Sequence, residues 1–303
     1  MDNAGQQVPD TEAFAFDQIQ ANQLSFRVAM AGAGERVVLC LHGFPESAIS
    51  WRHQMQPLAQ AGYRVWAPDL RGYGGTAHPL GIEAYSIESL MEDVSGLLDA
   101  AQVTRAILVG HDWGGIIAWY YAMRNPSRVE ALVILNAPHP ACFEREVRRW
   151  RQLHRSWYMG VFQIPWLPEL ALSAGQGYVI GQIFERMAMD RRHMPNDVVD
   201  VYRQQTCEAG VLTAMINYYR ATFRGGGAWR QRSLGYQKIE IPTLVIWGLQ
   251  DQALVAHNLD GLSDYVNDLT VITMADAGHF VHEDQPESVT RHLLTWLHDN
   301  LGS

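Results

Sequence analysis

At 303 residues, nearly half of them apolar, the chain is long enough for one large domain with an elaboration, or for two small ones. Net charge is −9 and the 23 Lys and Arg residues form no dense basic run, which argues against a nucleic-acid partner. Cys40, Cys142 and Cys207 are few, odd in number and widely spaced, a usage that suits a reducing cytoplasm and offers no metal-ligand spacing.

From the N-terminus, Met1-Asp2-Asn3-Ala4-Gly5-Gln6-Gln7 lacks the basic start of a signal peptide, and no apolar run reaches the roughly 18 residues of a membrane span. The expectation is a soluble cytoplasmic protein, monomer or homodimer, without a membrane partner. Residues 37–41 and 64–67 read as buried strands, each followed by a Gly- and Pro-bearing turn. Ser86 precedes apolar residues at Ile87, Leu90, Met91, Val94, Leu97 and Leu98, the spacing of a helix with one apolar face. Residues 105–109 form another β-type run, 116–124 read as a helix, and 129–135 as a further strand. Such alternation predicts an α/β fold, a mostly parallel sheet flanked by helices. From Pro138 to about Tyr236 the chain turns rich in Trp, Tyr, Arg and Met and shows no clean strand. Strands resume at 243–247 and 269–273, and a last amphipathic helix covers roughly 287–301. The expected organisation is a core in two parts, 1–137 and 237–303, with a helical lid, 138–236, inserted between them. Gly225-Gly226-Gly227 reads either as a flexible exit from that lid or as an ordinary surface loop.

Gly110-His111-Asp112-Trp113-Gly114-Gly115 lies between the strand at 105–109 and the helix at 116–124. A strand that becomes a helix within a few residues needs a tight, strained corner, and the flanking glycines leave room for one. The corner lifts the central side chain, Asp112, out of the sheet. An isolated Asp at such a place is more often a helix cap. With three glycines around it, Asp112 reads as a nucleophile. A carboxylate attacking a carbonyl would give an anhydride, a poor route for ester or peptide hydrolysis. It attacks an sp³ carbon well when that carbon bears a leaving group or sits in a strained ring, and water can then hydrolyse the enzyme ester. Asp112 points to epoxides or alkyl halides.

Such a carboxylate needs a base that activates water, and the base needs an orienting acid. Twelve histidines compete. His279, in Ala277-Gly278-His279-Phe280, follows the last strand at the sheet edge where active sites of parallel sheets gather. His282 is its chief rival, while His42 and His111 at other strand ends suit structural roles. Asp251 follows the preceding strand and emerges on the same edge; Asp276 is nearer in sequence but lies at the strand end itself. The backbone N–H groups of Phe44, in His42-Gly43-Phe44-Pro45, and of Trp113 could hold the oxyanion formed when water attacks the Asp112 ester. The Phe44-Pro45 bond could be cis or trans.

Together, His42-Gly43-Phe44-Pro45, Asp69-Leu70-Arg71-Gly72-Tyr73-Gly74, the Gly110–Gly115 elbow, Asp251 and Gly278-His279-Phe280 resemble the epoxide hydrolases of the α/β-hydrolase superfamily, from about residue 20 onward. Haloalkane dehalogenases share these core motifs and often carry Asp-Trp at the elbow, so dehalogenation stands as the alternative function. The resemblance implies two lid tyrosines that hydrogen-bond the epoxide oxygen, a task suited to a phenol that stays neutral at pH 7. Tyr158-Met159-Gly160-Val161-Phe162-Gln163 resembles one tyrosine segment and Asn217-Tyr218-Tyr219-Arg220 the other, which implies Tyr158 and Tyr219, with Tyr218 the neighbouring rival. Tyr158, Tyr219, Trp113 and Phe44 would also contact the substrate, a small epoxide that reacts with water. No metal or organic cofactor is implied.

Three departures stand out. Many dehalogenases carry Asn where this chain has Phe44, which counts against halide chemistry. Fluoroacetate dehalogenases resemble an elbow with Arg after the Asp, where Trp113 stands here. Gln252-Ala253-Leu254 replaces the Pro-Val that often follows the acid in epoxide hydrolases and bears on loop stiffness. Trp150, Trp157 and Trp166 crowd the start of the lid, either as pocket lining or as lid core.

Overall fold

The computed structural model describes residues 14–224 and 226–302. The polar start at 1–7 and Gly225 therefore fall outside the described residues. The first two elements are β1 (Ala15–Ala21) and β2 (Leu24–Ala31), a hairpin for which no expectation was formed. Then come β3 (Val37–Leu41), α1 (Arg52–Gln60), β4 (Arg64–Pro68) and α2 (Ile87–Ala100). The Ser86 side chain caps α2 by accepting from the Ser89 N–H. Next are β5 (Ala106–His111), α3 (Asp112–Arg124) and β6 (Val129–Leu135). The strand runs two residues further than 105–109 predicts, and the helix starts at Asp112, with no loop before Ile116.

Seven helices separate β6 from the next strand: α4 (Pro140–Glu146), α5 (Trp150–Leu153), α6 (Trp157–Val161), α7 (Leu167–Met187, broken at 174–177), α8 (Asn196–Thr206), α9 (Val211–Arg224) and α10 (Gly227–Ser233). No strand is found in this insertion among its described residues. Gly226 precedes α10 and Gly227 opens it, so the glycine run joins α9 to α10 and is not the exit from the insertion. The core resumes with β7 (Thr243–Gly248), β8 (Leu269–Met274), α11 (Val281–Asp284) and α12 (Pro286–Leu301).

The sheet order is β1-β2-β4-β3-β5-β6-β7-β8. β1, β2 and β4 pair antiparallel; every pair from β4 through β3 to β8 is parallel. The central strands are apolar on both faces, as sandwiching between helices requires. Leu39, Leu41, Leu108 and Ile134 face one cluster with α2 and α3, while Val38, Cys40, Val109 and Val133 face another with α1 and α12. Among the described residues no helix is long and apolar enough to cross a membrane.

Candidate active site

Asp112 sits at the β5–α3 corner with φ of +46°, the left-handed region that costs a non-glycine residue about 1–3 kcal/mol. The corner is possible because its neighbours have no side chain. A Cβ on Gly114 would meet the Leu41 carbonyl oxygen at 2.0 Å, and one on Gly43 would meet the Asp112 Cβ at 2.5 Å. The loop after β3 thus lies directly on the carboxylate, and the Phe44 N–H donates to Asp112 Oδ1 at 2.9 Å. The Phe44-Pro45 peptide is cis. Trp113, the other expected donor residue, is buried as the second residue of α3.

His279 Nε2 lies 3.7 Å from Asp112 Oδ2, and its Nδ1 lies 2.9 Å from Asp251 Oδ2. Asp251 is held from several sides. Its Oδ2 accepts from Asn136 Nδ2 at 2.7 Å, and its Oδ1 accepts from the N–H groups of Ala253 and Leu254. Burial raises its pKa, but His279 and these donors outweigh that and hold it below the ordinary value. Burial likewise pulls His279 down, yet the charge and hydrogen bond of Asp251, with Asp112 behind them, lift it to about 9. Asp276 is exposed.

The rival histidines have other partners. His42 Nε2 accepts from the Leu70 N–H, and His282 stacks on Trp51 with Glu46 beside it. His111 Nε2 lies 2.9 Å from the His279 carbonyl oxygen, which can only accept, so that nitrogen carries a proton. Its Nδ1 lies 2.7 Å from Glu46 Oε2, and the same oxygen accepts from the Gly43 N–H. Glu46 and His111 therefore link the loop over Asp112 to the loop that bears His279. Glu46, His111 and His282 also form the one trio of potential metal ligands within 4.8 Å among the described residues. None of the three lines the cavity described below.

A cavity of about 250 Å³ opens over Asp112 and is lined by Trp113, Tyr158 and Tyr219 among others. Tyr219 faces Trp113 and Phe44 edge to face, with ring centres 5.0 and 5.6 Å away. Tyr158 packs edge to face against Tyr219, with ring centres 5.8 Å apart. Burial, with the Asp112 charge adding to it, pushes both phenols above their usual range, so both keep their protons at neutral pH. Tyr218 points elsewhere and donates to the Arg71 carbonyl at 2.8 Å. The two phenols owe their register to Arg220. Its guanidinium donates to the carbonyls of Phe162 and Ile164 and pairs with Glu169, tying α9 to the end of α6. Trp150, Trp157 and Trp166 are 77%, 67% and 81% exposed, so they are neither pocket lining nor lid core.

Asn136, Glu46, Arg220 and Asp284 were not singled out from the sequence. Asn136 directly follows β6, at the same sheet edge as Asp112 and Asp251, and a polar side chain there was the available signal. The others act through partners more than fifty residues away, apart from the Gly43 contact of Glu46 and the Gly278 contact of Asp284.

The chain belongs to the α/β-hydrolase fold family, whose sequence profile, described as alpha/beta hydrolase fold, matches residues 36–286. Within that family it is similar to proteins named epoxide hydrolases. Epoxide hydrolase 4 of Homo sapiens is 33% identical over 95% of this chain and 80% of its own length. The crystal structure of the Bacillus megaterium epoxide hydrolase in complex with an inhibitor superposes with a TM-score of 0.86, at 30% identity, over 93% of this chain and 99% of that one. An epoxide hydrolase from Vigna radiata gives 0.84 at 29% identity, over 95% and 99%.

Proposed function

We propose that the protein is an epoxide hydrolase that forms vicinal diols through an ester on Asp112. The observation that carries this reading is that two protonated phenols, Tyr158 and Tyr219, share one cavity with Asp112. The names of the relatives and of the solved structures support it.

With Oδ1 held by the Phe44 N–H, Oδ2, 3.7 Å from His279 Nε2, is the oxygen that attacks an epoxide carbon. The C–O bond opposite the attack breaks, and its electron pair goes to the ring oxygen, which Tyr158 and Tyr219 hydrogen-bond as charge builds. Water then loses a proton to His279, oriented by Asp251, and adds to the Asp112 carboxyl carbon. The resulting oxyanion sits on the N–H groups of Phe44 and Trp113. As it collapses, the leaving oxygen takes the proton from His279, and the second proton of the water passes from the Asp112 carboxyl to the ring oxygen held by the phenols. This releases the diol and regenerates the carboxylate. In this reading the helical insertion acts as the cap. Phe44 stands where many dehalogenases carry Asn, so that position offers no side-chain donor to a halide, which disfavours dehalogenation. The three cysteines are free, as a reducing compartment would keep them, and cytoplasmic residence belongs to the same proposal.

The test is His279→Gln. Alkylation requires no proton transfer from Asp112, whereas ester hydrolysis loses a base that commonly contributes about 10²–10⁴-fold. Incubation with styrene oxide should add the mass of one substrate to the chain, on a peptide containing Asp112. Wild-type enzyme should release diol from styrene oxide and little halide from 1-chlorobutane. Normal turnover by the variant, with no adduct, would overturn the assignment of the base; comparable halide release would overturn the substrate.

A further inference from the structure

The cavity over Asp112 extends along α3. Asp112, Ile116 and Tyr120 all line it, and their four-residue spacing places them on one face of α3. Eight residues of helix put Tyr120 about 12 Å from Asp112 along the axis. Between them the walls are apolar, with Trp113, Pro140, Phe143 and Val147 among them. An epoxide held at Asp112 therefore has room for an apolar arm running towards Tyr120.

The far end is polar and anionic. Glu144, half-buried on α4, lines the cavity there. The Tyr236 hydroxyl donates to Glu144 Oε1 at 2.6 Å, and Tyr120 lines the cavity close enough to Glu144 for the carboxylate's charge to act on its phenol. Glu144 Oε2 lies 3.6 Å from Arg232 Nε, but the Arg232 side chain is mostly exposed and does not line the cavity. Among the described lining residues, Asp112 and Glu144 are the only charged ones.

We propose that Glu144, with Tyr120 and Tyr236, makes this site select epoxides whose apolar arm ends in a neutral or hydrogen-bond-donating group and reject those that end in a carboxylate. The proposal rests on the reading that Asp112 opens epoxides. An arm of that length brings its end group to Glu144. A carboxylate there meets a like charge between low-dielectric walls, with the Tyr236 proton already committed to Glu144. A hydroxyl or ammonium group finds a carboxylate acceptor instead.

The test uses terminal epoxides that share one long alkyl arm and end in carboxylate, methyl ester or primary alcohol. For wild-type enzyme, kcat/KM for the carboxylate should fall about 10-fold or more below the ester, and the gap should narrow as salt is raised. Glu144→Gln should close most of the gap and Glu144→Lys should reverse it. Equal kcat/KM for carboxylate and ester in the wild type overturns the proposal, as does a gap that Glu144→Gln leaves intact. Should that variant not fold, a gap insensitive to salt in the wild type overturns it as well. If the wild type opens none of these epoxides but releases chloride from chloroalkanes, the epoxide reading fails instead. Chloroalkanes with the same three end groups then test the selectivity separately.

Discussion

The Gly278 N–H donates to the buried carboxylate of Asp284 at 2.7 Å, one residue before the histidine that we assign as base. The other oxygen of Asp284 accepts from the N–H groups of Met189 and Asp190, which follow α7 in the insertion. One side chain therefore fixes the His279 loop and the insertion to each other. Asp284→Asn keeps the size but turns one acceptor into a donor, leaving backbone donors unpaired at about 1–3 kcal/mol. We expect a lower unfolding midpoint in urea and a slower ester-hydrolysis step, seen as partial accumulation of alkylated Asp112. Asp284→Glu should recover part of both. A variant less stable but with unaltered single-turnover rates would reduce Asp284 to a purely structural contact.

In the proposed mechanism the phenol pair acts on ring opening. Tyr158→Phe and Tyr219→Phe should each slow alkylation by on the order of 10²-fold, as loss of one donor to a developing oxyanion does. Because both donors serve one oxygen, the effects should not multiply as independent sites would. Hydrolysis of a preformed ester should change little. Tyr218→Phe should leave ring opening near wild type while costing about 1 kcal/mol for its lost bond to the Arg71 carbonyl. Stopped-flow alkylation kinetics decide this: damage from Tyr218→Phe with Tyr219→Phe silent would exchange the two assignments.

The His279–Asp251 pair makes stability depend on pH. His279 is lifted from 6.5 to about 9, so its protonated form favours the folded state. That contribution is complete below about pH 6.5 and is lost as pH rises through about 9. Its size is on the order of 3 kcal/mol, from 1.36 kcal/mol per unit over the rise from 6.5 to about 9. Asp251→Asn should remove most of it. The variant's deficit in urea unfolding should be large near pH 6 and shrink towards pH 9.5; a deficit constant across that range would contradict the pairing. Ring opening also consumes the Asp112 charge, one of the groups that raise His279. The base should therefore be freed in the ester intermediate at a pH lower than in the resting enzyme.

Much of the core was legible because its strands are apolar on both faces and end in turns. The N-terminal hairpin was not, for local reasons. β1 is an edge strand with most side chains exposed, so its alternation is faint. Its turn uses Asn22 and Gln23, both at positive φ, where Asn-Gly would have announced a hairpin. At the site, Asp112 and His279 stand out by local motif. Tyr158 and Tyr219 could be reached only by resemblance, since their register depends on the hold of Arg220 on residues more than fifty positions away. Glu46 and Asp284 were illegible for a related reason: a carboxylate that accepts from backbone leaves no pattern in side-chain chemistry.

β6 and β7 are register neighbours in the sheet, although residues 136–242, which include the helical insertion, lie between them. Closing a loop of that length costs on the order of 4 kcal/mol in chain entropy before any strand contact forms. Helices that condense within the insertion shorten the effective loop, so their folding should precede or accompany the docking of β7. During synthesis, which runs from the N-terminus, the strands that precede Phe44 and Asp112, and those two residues, are complete more than a hundred residues before His279 emerges. A nascent chain at that stage would hold a nucleophile without its base: able to be alkylated, yet unable to clear the ester. With the proposed base seated in the loop after the last strand, the full cycle would be a property of the finished fold.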